Sequence, residues 1–490
     1  MKKIFLLIAL SCLLAPRVSF AAKPPEYTKQ SLNLPGQIIN FAVEDLNGDG
    51  LKDIVAVCLY KPKGKAPERC FSVFYQKKGA GFKSSPDESW VLDPEAVVYD
   101  IGGIRGSGGK AIVYLRPDGL YAYLPHNGRY NFRPVLLVRA QGAIFNHPDP
   151  RDLPRWPLVL DGNGKNEGFL LVPGITRLLI YQAAPGYRPA GSVPLTIRTT
   201  FSEDVMDPGR ITVSNKVPNI SAVPFTSRSA QDLFVTWEDS ADVYFRRKPG
   251  FSGVPNVRFR PGLMKVKKEM IYNAVVRPID LKGDGTYDFV VTKMTGGISQ
   301  ARSLVFVYER NRGGNFPAKP TQTIVTEGVI GPKFLDMNGD GRKDMILPTV
   351  KMGLGNLINM VTSKEIKMTL GIYIQGRDGR FPDRPTKEKL VSFQLDLAHI
   401  GKNPKPVMAF GKFTKGPGYG LAVAAKNDRV SLYMPDPYSF LTDFPSLDID
   451  VPAPTEMKAV DLNGDGIDDL VMSYKMKKAE GKTINVFLSK

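Results

Sequence analysis

Short apolar runs separated by turn residues recur along the whole chain. Ile54 to Val57 reads Ile-Val-Ala-Val and Phe289 to Val291 reads Phe-Val-Val, and each run follows a loop rich in Asp and Gly. Short runs of this kind, rich in β-branched residues and bounded by Gly, Pro, Asn and Asp, are typical of strands. The 47 Gly and 40 Pro residues support the same interpretation. The pattern therefore predicts an all-β protein.

One stretch departs from this pattern. Between Gly353 and Ile366, apolar residues stand at 354, 357, 358 and 361, which is helical spacing. We expect a short helix here, packed on its own repeat unit rather than on a partner or a membrane.

A nine-residue loop occurs four times with the sequence Asp-x-Asn/Lys-Gly-Asp-Gly-x-x-Asp. The copies begin at Asp45, Asp280, Asp336 and Asp461, and we call them loop 45, loop 280, loop 336 and loop 461. Each follows a short strand and precedes an apolar run, so each should join the two strands of a hairpin. Self-similarity of this kind indicates a repeat architecture.

Four further units keep the order of strand, loop and strand after losing most of the acidic residues. They contain Asp100, Asp161, Asp232 and, in the last, Gly418 with Gly420. Together there are eight units, which start near residues 37, 96, 156, 218, 271, 329, 407 and 455. Units of about four strands arranged radially form a β-propeller. We expect eight blades, with seven as the alternative.

The last unit has only three strands before the sequence reaches Lys490. Residues Glu26 to Leu34 read as an outer strand that belongs to no blade of its own. Pairing of this strand with the last unit would close the ring.

The four loops carry the oxygen ligands that calcium prefers. Three carboxylates within nine residues repel one another by about 1 kcal/mol per pair at 4 Å in water, and a bound cation removes that penalty. Loop positions 1, 3, 5 and 9 would supply side chains and position 7 its carbonyl, with a turn glycine at position 6. Acidic turns without metal are the alternative. The predicted ligands are Asp45, Asn47, Asp49, Leu51 and Asp53; Asp280, Asp284, Thr286 and Asp288; Asp336, Asn338, Asp340, Arg342 and Asp344; and Asp461, Asn463, Asp465, Ile467 and Asp469.

The loops should differ in strength. Lys282 stands at the third position of loop 280, where the others have Asn, and its positive charge predicts weaker calcium binding there. Asp468 adds a negative charge to loop 461, which could strengthen the attraction without ligating the ion.

These loops and their flanking strands resemble the FG-GAP or VCBS-type repeats of integrin-α-like propellers, which are common in exported bacterial proteins. The resemblance is carried by the four Asp-x-Asn/Lys-Gly-Asp-Gly-x-x-Asp motifs and extends more faintly over nearly all of residues 22–490. It implies calcium in the hairpin loops and a surface role in adhesion, ligand binding or assembly. About half of the units lack the acidic residues, so calcium should staple only part of the ring.

The N-terminus reads as a secretory signal peptide. Lys2 and Lys3 precede an apolar stretch from Ile4 to Ala15, followed by small residues at Ser19 and Ala21. We expect cleavage of residues 1–21, leaving residues 22–490 as a single propeller domain without a transmembrane segment. The protein should be exported to the periplasm, the outer-membrane surface or the medium. Lipid modification at Cys12 is the alternative.

The net positive charge of the chain indicates which class of partner to expect. Loss of residues 1–21 removes three of the 66 Lys and Arg residues and leaves a formal charge of about +15. A basic surface attracts anions, so the expected partners are an anionic glycan, an envelope lipid head group or a surface protein. The charge balance by itself favours a solvated basic surface over a dedicated anion site. Given the export signal, we expect no nucleic acid as a partner, and we expect a monomer.

Cys58 and Cys70 lie in two strand-like runs joined by a short loop. Antiparallel pairing would bring them face to face, and an oxidising compartment favours a disulfide between them. Two free buried thiols are the alternative.

Recognisable catalytic motifs are absent from the sequence. It has neither an H-E-x-x-H zinc motif nor a G-x-S-x-G nucleophile elbow. A binding or scaffold propeller at the cell envelope is the favoured function. A calcium-dependent polysaccharide lyase or hydrolase is the alternative, with Lys282 or Arg342 as the basic residue beside the metal.

Overall fold

The structure is a computed structural model, and the statements below concern the residues that it describes. The predicted signal peptide lies outside them, as does residue range 351–364, which holds most of the predicted helix. The last two residues of that predicted helix, Glu365 and Ile366, instead begin a strand. The described residues are 23–140, 151–161, 168–204, 207–227, 230–262, 271–295, 302–311, 313–327, 331–350, 365–394, 406–475 and 480–490.

Eight four-stranded antiparallel sheets make up the fold, so the predicted count of eight blades is confirmed. In blades 1 to 7 the strands lie side by side in chain order. The strands of blades 1 to 4 are β2 (Gln37–Glu44), β3 (Asp53–Tyr60), β4 (Glu68–Phe74) and β5 (Glu88–Val91); β6 (Val98–Gly103), β7 (Lys110–Arg116), β8 (Gly119–Tyr123) and β11 (Val135–Arg139); β12 (Val159–Leu160), β13 (Phe169–Pro173), β14 (Arg177–Gln182) and β15 (Pro189–Pro194); and β18 (Asn219–Ser227), β19 (Ala230–Thr236), β20 (Ala241–Tyr244) and β21 (Val257–Phe259).

The second half of the chain continues the same order. Its four blades include all three of the acidic loops that follow loop 45. The strands of blades 5 to 8 are β22 (Ile271–Ile279), β23 (Asp288–Thr295), β24 (Arg302–Tyr308) and β25 (Gln322–Glu327); β26 (Lys333–Leu335), β27 (Asp344–Thr349), β28 (Glu365–Tyr373) and β29 (Lys387–Gln394); β30 (Met408–Gly411), β31 (Gly420–Lys426), β32 (Arg429–Tyr433) and β33 (Leu447–Asp450); and β34 (Glu456–Val460), β35 (Asp469–Ser473), β36 (Thr483–Ser489) and, from the other end of the chain, β1 (Tyr27–Asn33).

Two additional hairpins lie between these strands. One, β9 (Pro125–His126) with β10 (Arg129–Tyr130), precedes the last strand of blade 2. The other, β16 (Arg198–Asp204) with β17 (Asp207–Lys216), connects blade 3 to blade 4.

The N-terminal strand closes the ring as predicted. β1 pairs antiparallel with β36 over its whole length, from Tyr27 opposite Ser489 to Asn33 opposite Thr483. It thereby becomes the fourth strand of blade 8. Its inward residue Leu32 is fully buried.

Apolar clusters join each blade to the next. In β3 of blade 1, Ile54 and Ala56 pack in a cluster shared with blade 8, whereas Val55 and Val57 pack in a cluster shared with blade 2. Successive residues of a strand point to opposite faces, and here both faces are covered by a neighbouring blade. This explains why the middle strands read as unbroken apolar runs. Clusters of the same kind link blades 2, 3 and 4, then 4 and 5, 5 and 6, 6 and 7, and 7 and 8.

The predicted disulfide is present in blade 1. Cys58 of β3 lies opposite Cys70 of β4 in the strand register, with their Cα atoms 5.2 Å apart. Both side chains are buried. The bond lies near the turn that joins β3 to β4, at the end of these strands away from loop 45.

None of the described segments is a helix of the length and apolarity required to cross a bilayer.

Candidate metal-binding loops

The four acidic loops occupy equivalent places in their blades. Each connects the first strand to the second, and its ninth residue is the first residue of that second strand. The residue before the loop pairs with this ninth residue across the hairpin, as Glu44 does with Asp53. The same pairing occurs at Asp288, Asp344 and Asp469. The structure thus places all the predicted ligands of a given loop at one hairpin end.

Two glycines give the loops their shape. In loop 45, Gly48 and Gly50 have φ angles of 79° and 88°, a region that disfavours residues with a Cβ. The fourth and sixth positions of the other three loops have the same left-handed conformation. The two glycines of the repeated Gly-Asp-Gly sequence are therefore a backbone requirement of the turn.

Side chains within the loop hold it closed. The Asp45 carboxylate accepts hydrogen bonds from Gly48 N at 2.7 Å and Gly50 N at 3.1 Å. Asn47 Oδ1 accepts one from Asp49 N at 3.0 Å, and Asp49 Oδ1 accepts one from Leu51 N at 2.8 Å. Loops 336 and 461 repeat these four bonds. Such local bonds are typical of Asx turns, and they give three loops the same conformation.

The ninth aspartate joins two segments of its blade. Asp53 is fully buried, and its Oδ2 accepts a hydrogen bond from Leu46 N at 3.0 Å while Oδ1 accepts one from Gln76 N at 2.9 Å. Asp344 and Asp469 make the equivalent pair of bonds, and Asp288 makes the second of them. Each side chain therefore ties the loop to the end of the third strand or to the segment directly after it.

The ninth position also has a role that needs no metal. In blade 4, where the other acidic residues are lost, Asp232 is fully buried and accepts hydrogen bonds from Thr226 N at 2.7 Å and Arg246 N at 2.8 Å. A buried carboxylate without partners would be costly, so these donors stabilise it. Sequence reasoning assigned the ninth position to calcium alone and missed this structural function.

Sequence reasoning also missed the residue whose backbone N–H donates the second hydrogen bond to the ninth aspartate. It stands two positions after a buried aromatic at or near the end of the third strand, as Gln76 follows Phe74 and Gln375 follows Tyr373. Arg246, Arg310 and Ser489 follow the same rule in blades 4, 5 and 8. This fixed offset is a signal that the sequence contains.

Burial dominates the electrostatics of the ninth aspartates. It raises the pKa of Asp53 to about 6, against the effect of its two backbone donors, and the negative charges of Asp49 and Asp45 raise it further. Burial likewise raises the pKa of Asp288, Asp344 and Asp469 to about 6.

The donor chemistry of the loops fits a hard divalent cation, because every predicted ligand is an oxygen. Asp280 Oδ1 in loop 280 is buried and has no hydrogen-bond partner, so it is available to a ligand. The carboxylate groups of a loop are not clustered around a common point. Across the described ranges, no three acidic, histidine or cysteine groups form a ready-made metal cluster. Calcium binding would therefore require the aspartate side chains to turn toward a common centre.

A basic side chain at position 3 or position 7 distinguishes loops 280 and 336 from the other two. The Lys282 Nζ lies 2.9 Å from Glu309 Oε2, and although burial alone would lower the pKa of Lys282, this partner raises it. Arg342 forms an ion pair with Asp340, one of the predicted ligands. In loop 461, Asp468 instead faces blade 7, where its Oδ2 accepts a hydrogen bond from Lys412 N at 2.7 Å.

No protein-family model and no curated protein sequence matches this chain. Similar solved structures include an Agrocybe aegerita lectin described as recognising non-reducing terminal N-acetylglucosamine, with 12% identity, a TM-score of 0.39, and coverage of 76% of this chain and 91% of that one. The Dos1 propeller has 10% identity, a TM-score of 0.40 and 95% coverage of both chains. The V. cholerae biofilm matrix protein Bap1 has 10% identity, a TM-score of 0.28, and coverage of 96% and 88%.

The strand order of the chain itself defines its class, an eight-bladed β-propeller. The finer resemblance to FG-GAP or VCBS-type repeats depends on the four loop motifs, and no family model adds to it. Fold alone does not assign a function.

Proposed function

We propose that the protein is an exported calcium-binding propeller that acts as a binding, scaffold or adhesion module at the cell envelope. The observation that carries the calcium proposal is the recurrence of one Gly-Asp-Gly turn at four equivalent hairpins. In each, the glycines at positions 4 and 6 have positive φ angles, and aspartates stand at positions 1, 5 and 9; three of the loops add an asparagine oxygen at position 3. Calcium would staple these hairpins by neutralising carboxylates that otherwise repel.

The proposed partner is anionic. The basic balance of the chain favours acidic glycans, lipid head groups or acidic surface proteins over neutral ligands. Export would bring the propeller into contact with such envelope components. The signal-peptide pattern of residues 1–21 supports this location.

The polysaccharide lyase alternative gains little from the two basic residues considered for it. Lys282 is paired with Glu309, and Arg342 with Asp340. A lyase base must be free to approach the sugar, and both of these cations are held by carboxylates of their own blade.

Two measurements test the proposal. Elemental analysis of the purified chain 22–490 should find three or four calcium ions per molecule, and a metal-free protein would refute calcium binding. Passage over an immobilised uronate-rich polysaccharide should retain the protein without cleaving the polymer. New unsaturated ends that absorb in the ultraviolet would support the lyase, and failure to bind any acidic glycan, anionic vesicle or acidic surface protein would refute the proposed partner class.

A further inference from the structure

The four loops are arranged as two neighbouring pairs. Loop 461 lies in blade 8 and loop 45 in blade 1, and these blades adjoin where the ring closes. Loops 280 and 336 lie in the adjoining blades 5 and 6. Blades 2 to 4 and blade 7 separate the two pairs.

A backbone hydrogen bond joins the two loops of each pair. Lys52 N donates to Leu462 O at 3.0 Å, and Lys343 N donates to Leu281 O at 2.8 Å. In both pairs the donor is the eighth residue of one loop, and the acceptor is the second residue of the loop in the preceding blade. The two contacts are therefore equivalent.

The contact in the 461/45 pair leads directly from one proposed ligand to another. Leu462 N donates to Asp469 Oδ2 at 2.8 Å, and Leu462 O accepts the bond from Lys52, which precedes Asp53. The ninth ligands of the two loops are thus linked through Leu462 and Lys52. A shift of either ligand would move the other through this path.

Further contacts strengthen both links. Gln76, whose N–H binds Asp53, also bridges the pair: in the amide orientation that satisfies its hydrogen bonds, its nitrogen lies 3.0 Å from Leu462 O and 2.9 Å from Lys52 O. In the other pair the loops touch so closely that a Cβ on Gly283 would lie 2.1 Å from Gly341 O. In both pairs, therefore, the two loops are in direct contact.

We infer that calcium binding is cooperative within each neighbouring pair and independent between the pairs, an inference that rests on the proposed calcium binding. An ion held by positions 7 and 9 of loop 45 orders Lys52, and Lys52 in turn orders Leu462 in loop 461. The second loop then loses less freedom when it binds, which raises its affinity. A coupling equal to one net hydrogen bond corresponds to an affinity change of about two- to tenfold.

The test compares proteins that each retain two loops. The adjacent protein keeps loops 45 and 461 and carries Asp280→Asn, Asp284→Asn, Asp336→Asn and Asp340→Asn. The separated protein keeps loops 336 and 461 and carries Asp45→Asn, Asp49→Asn, Asp280→Asn and Asp284→Asn. Asparagine preserves hydrogen-bond acceptors for the loop amides while removing ligand charge. A third protein that keeps loop 461 alone gives its intrinsic calcium affinity by isothermal titration calorimetry.

In the adjacent protein, we expect a Hill coefficient above 1 and an affinity of loop 461 that is about two- to tenfold higher than when it is alone. The separated protein should bind two ions independently. Independent or anticooperative binding in the adjacent protein would overturn the inference while leaving calcium binding intact. Absence of calcium from every variant and from the unmodified chain would instead overturn the proposed function, and the inference with it.

A second variant tests the side-chain bridge made by Gln76. Gln76→Met in the adjacent protein keeps the backbone N–H that binds Asp53 but removes the bridging amide. We expect the coupling to fall toward that of the separated protein, with the affinity of loop 461 alone unchanged. Full coupling in this variant would contradict a role of the Gln76 bridge in the coupling.

Discussion

Tyr27 lies opposite Ser489 at the end of the antiparallel pair that joins the two ends of the chain. This pairing makes the ring continuous, and Leu32 of the same strand is buried between blades 8 and 1. The stability of the whole propeller should therefore depend on a strand near the N-terminus.

Truncation of Leu32 tests this closure. Leu32→Ala should lower the free energy of unfolding by about 2 to 5 kcal/mol, because it leaves a cavity in a fully buried cluster. Urea denaturation measures the change. Lys29→Ala on the exposed face of the same strand is the control and should stay within about 0.5 kcal/mol of the unmodified protein. Equal effects of the two substitutions would contradict the closure.

The disulfide should contribute to stability mainly through the unfolded chain. Cys58 and Cys70 are separated by 12 residues in sequence, and a crosslink over such a loop stabilises by about 2 to 4 kcal/mol. The double variant Cys58→Ala, Cys70→Ala should lose stability of this order in urea denaturation. Addition of a reductant should then destabilise the unmodified protein but not the variant. A reductant-insensitive unmodified protein would argue against the bond.

The structural and metal-binding roles of the aspartates can be separated. Asp232→Ala leaves two backbone donors without their buried acceptor, so it should cost about 1 to 3 kcal/mol both with calcium and with chelator. Asp45→Asn should lower stability only when calcium is present. Thermal unfolding of both variants in the two conditions makes the comparison. Loss of stability by Asp45→Asn in chelator would show that its first role is structural.

The basic residues of loops 280 and 336 should weaken their calcium binding. Lys282→Asn supplies the missing oxygen at position 3 and removes a positive charge, and Arg342→Ala frees Asp340 from its ion pair. Each substitution should raise the calcium affinity of its own loop, as measured by calorimetry in a protein whose other loops are disabled. Lys343→Ala, which keeps the backbone N–H of its position, is the control. If neither affinity changes, the ranking of the loops is wrong.

The repeat predicted most of this fold, because each blade combines unbroken apolar strands with a turn of fixed sequence. Eight units, the closing strand and the Cys58–Cys70 bond are confirmed by the structure. The sequence did not reveal that Asp53 binds Gln76 N, because that contact depends on how the third strand ends. It also gave no warning that Arg342 would pair with Asp340, since a surface side chain has several possible directions.

The contacts within each loop pair were likewise beyond sequence reasoning, although the predicted unit order and ring closure made their blades neighbours. Loop 45 and loop 461 lie at opposite ends of the chain, and only ring closure brings Lys52 within hydrogen-bond distance of Leu462. Long-range contacts of this kind follow from topology rather than from local pattern.

The most direct test of the calcium proposal is thermal unfolding of the purified protein with and without chelator, combined with metal analysis of the same sample. Calcium at 100 times its dissociation constant would stabilise by about 2.7 kcal/mol per site, so the account predicts bound calcium and a clearly lower melting temperature after chelation. Protein that contains no calcium and melts at the same temperature in both conditions would contradict it.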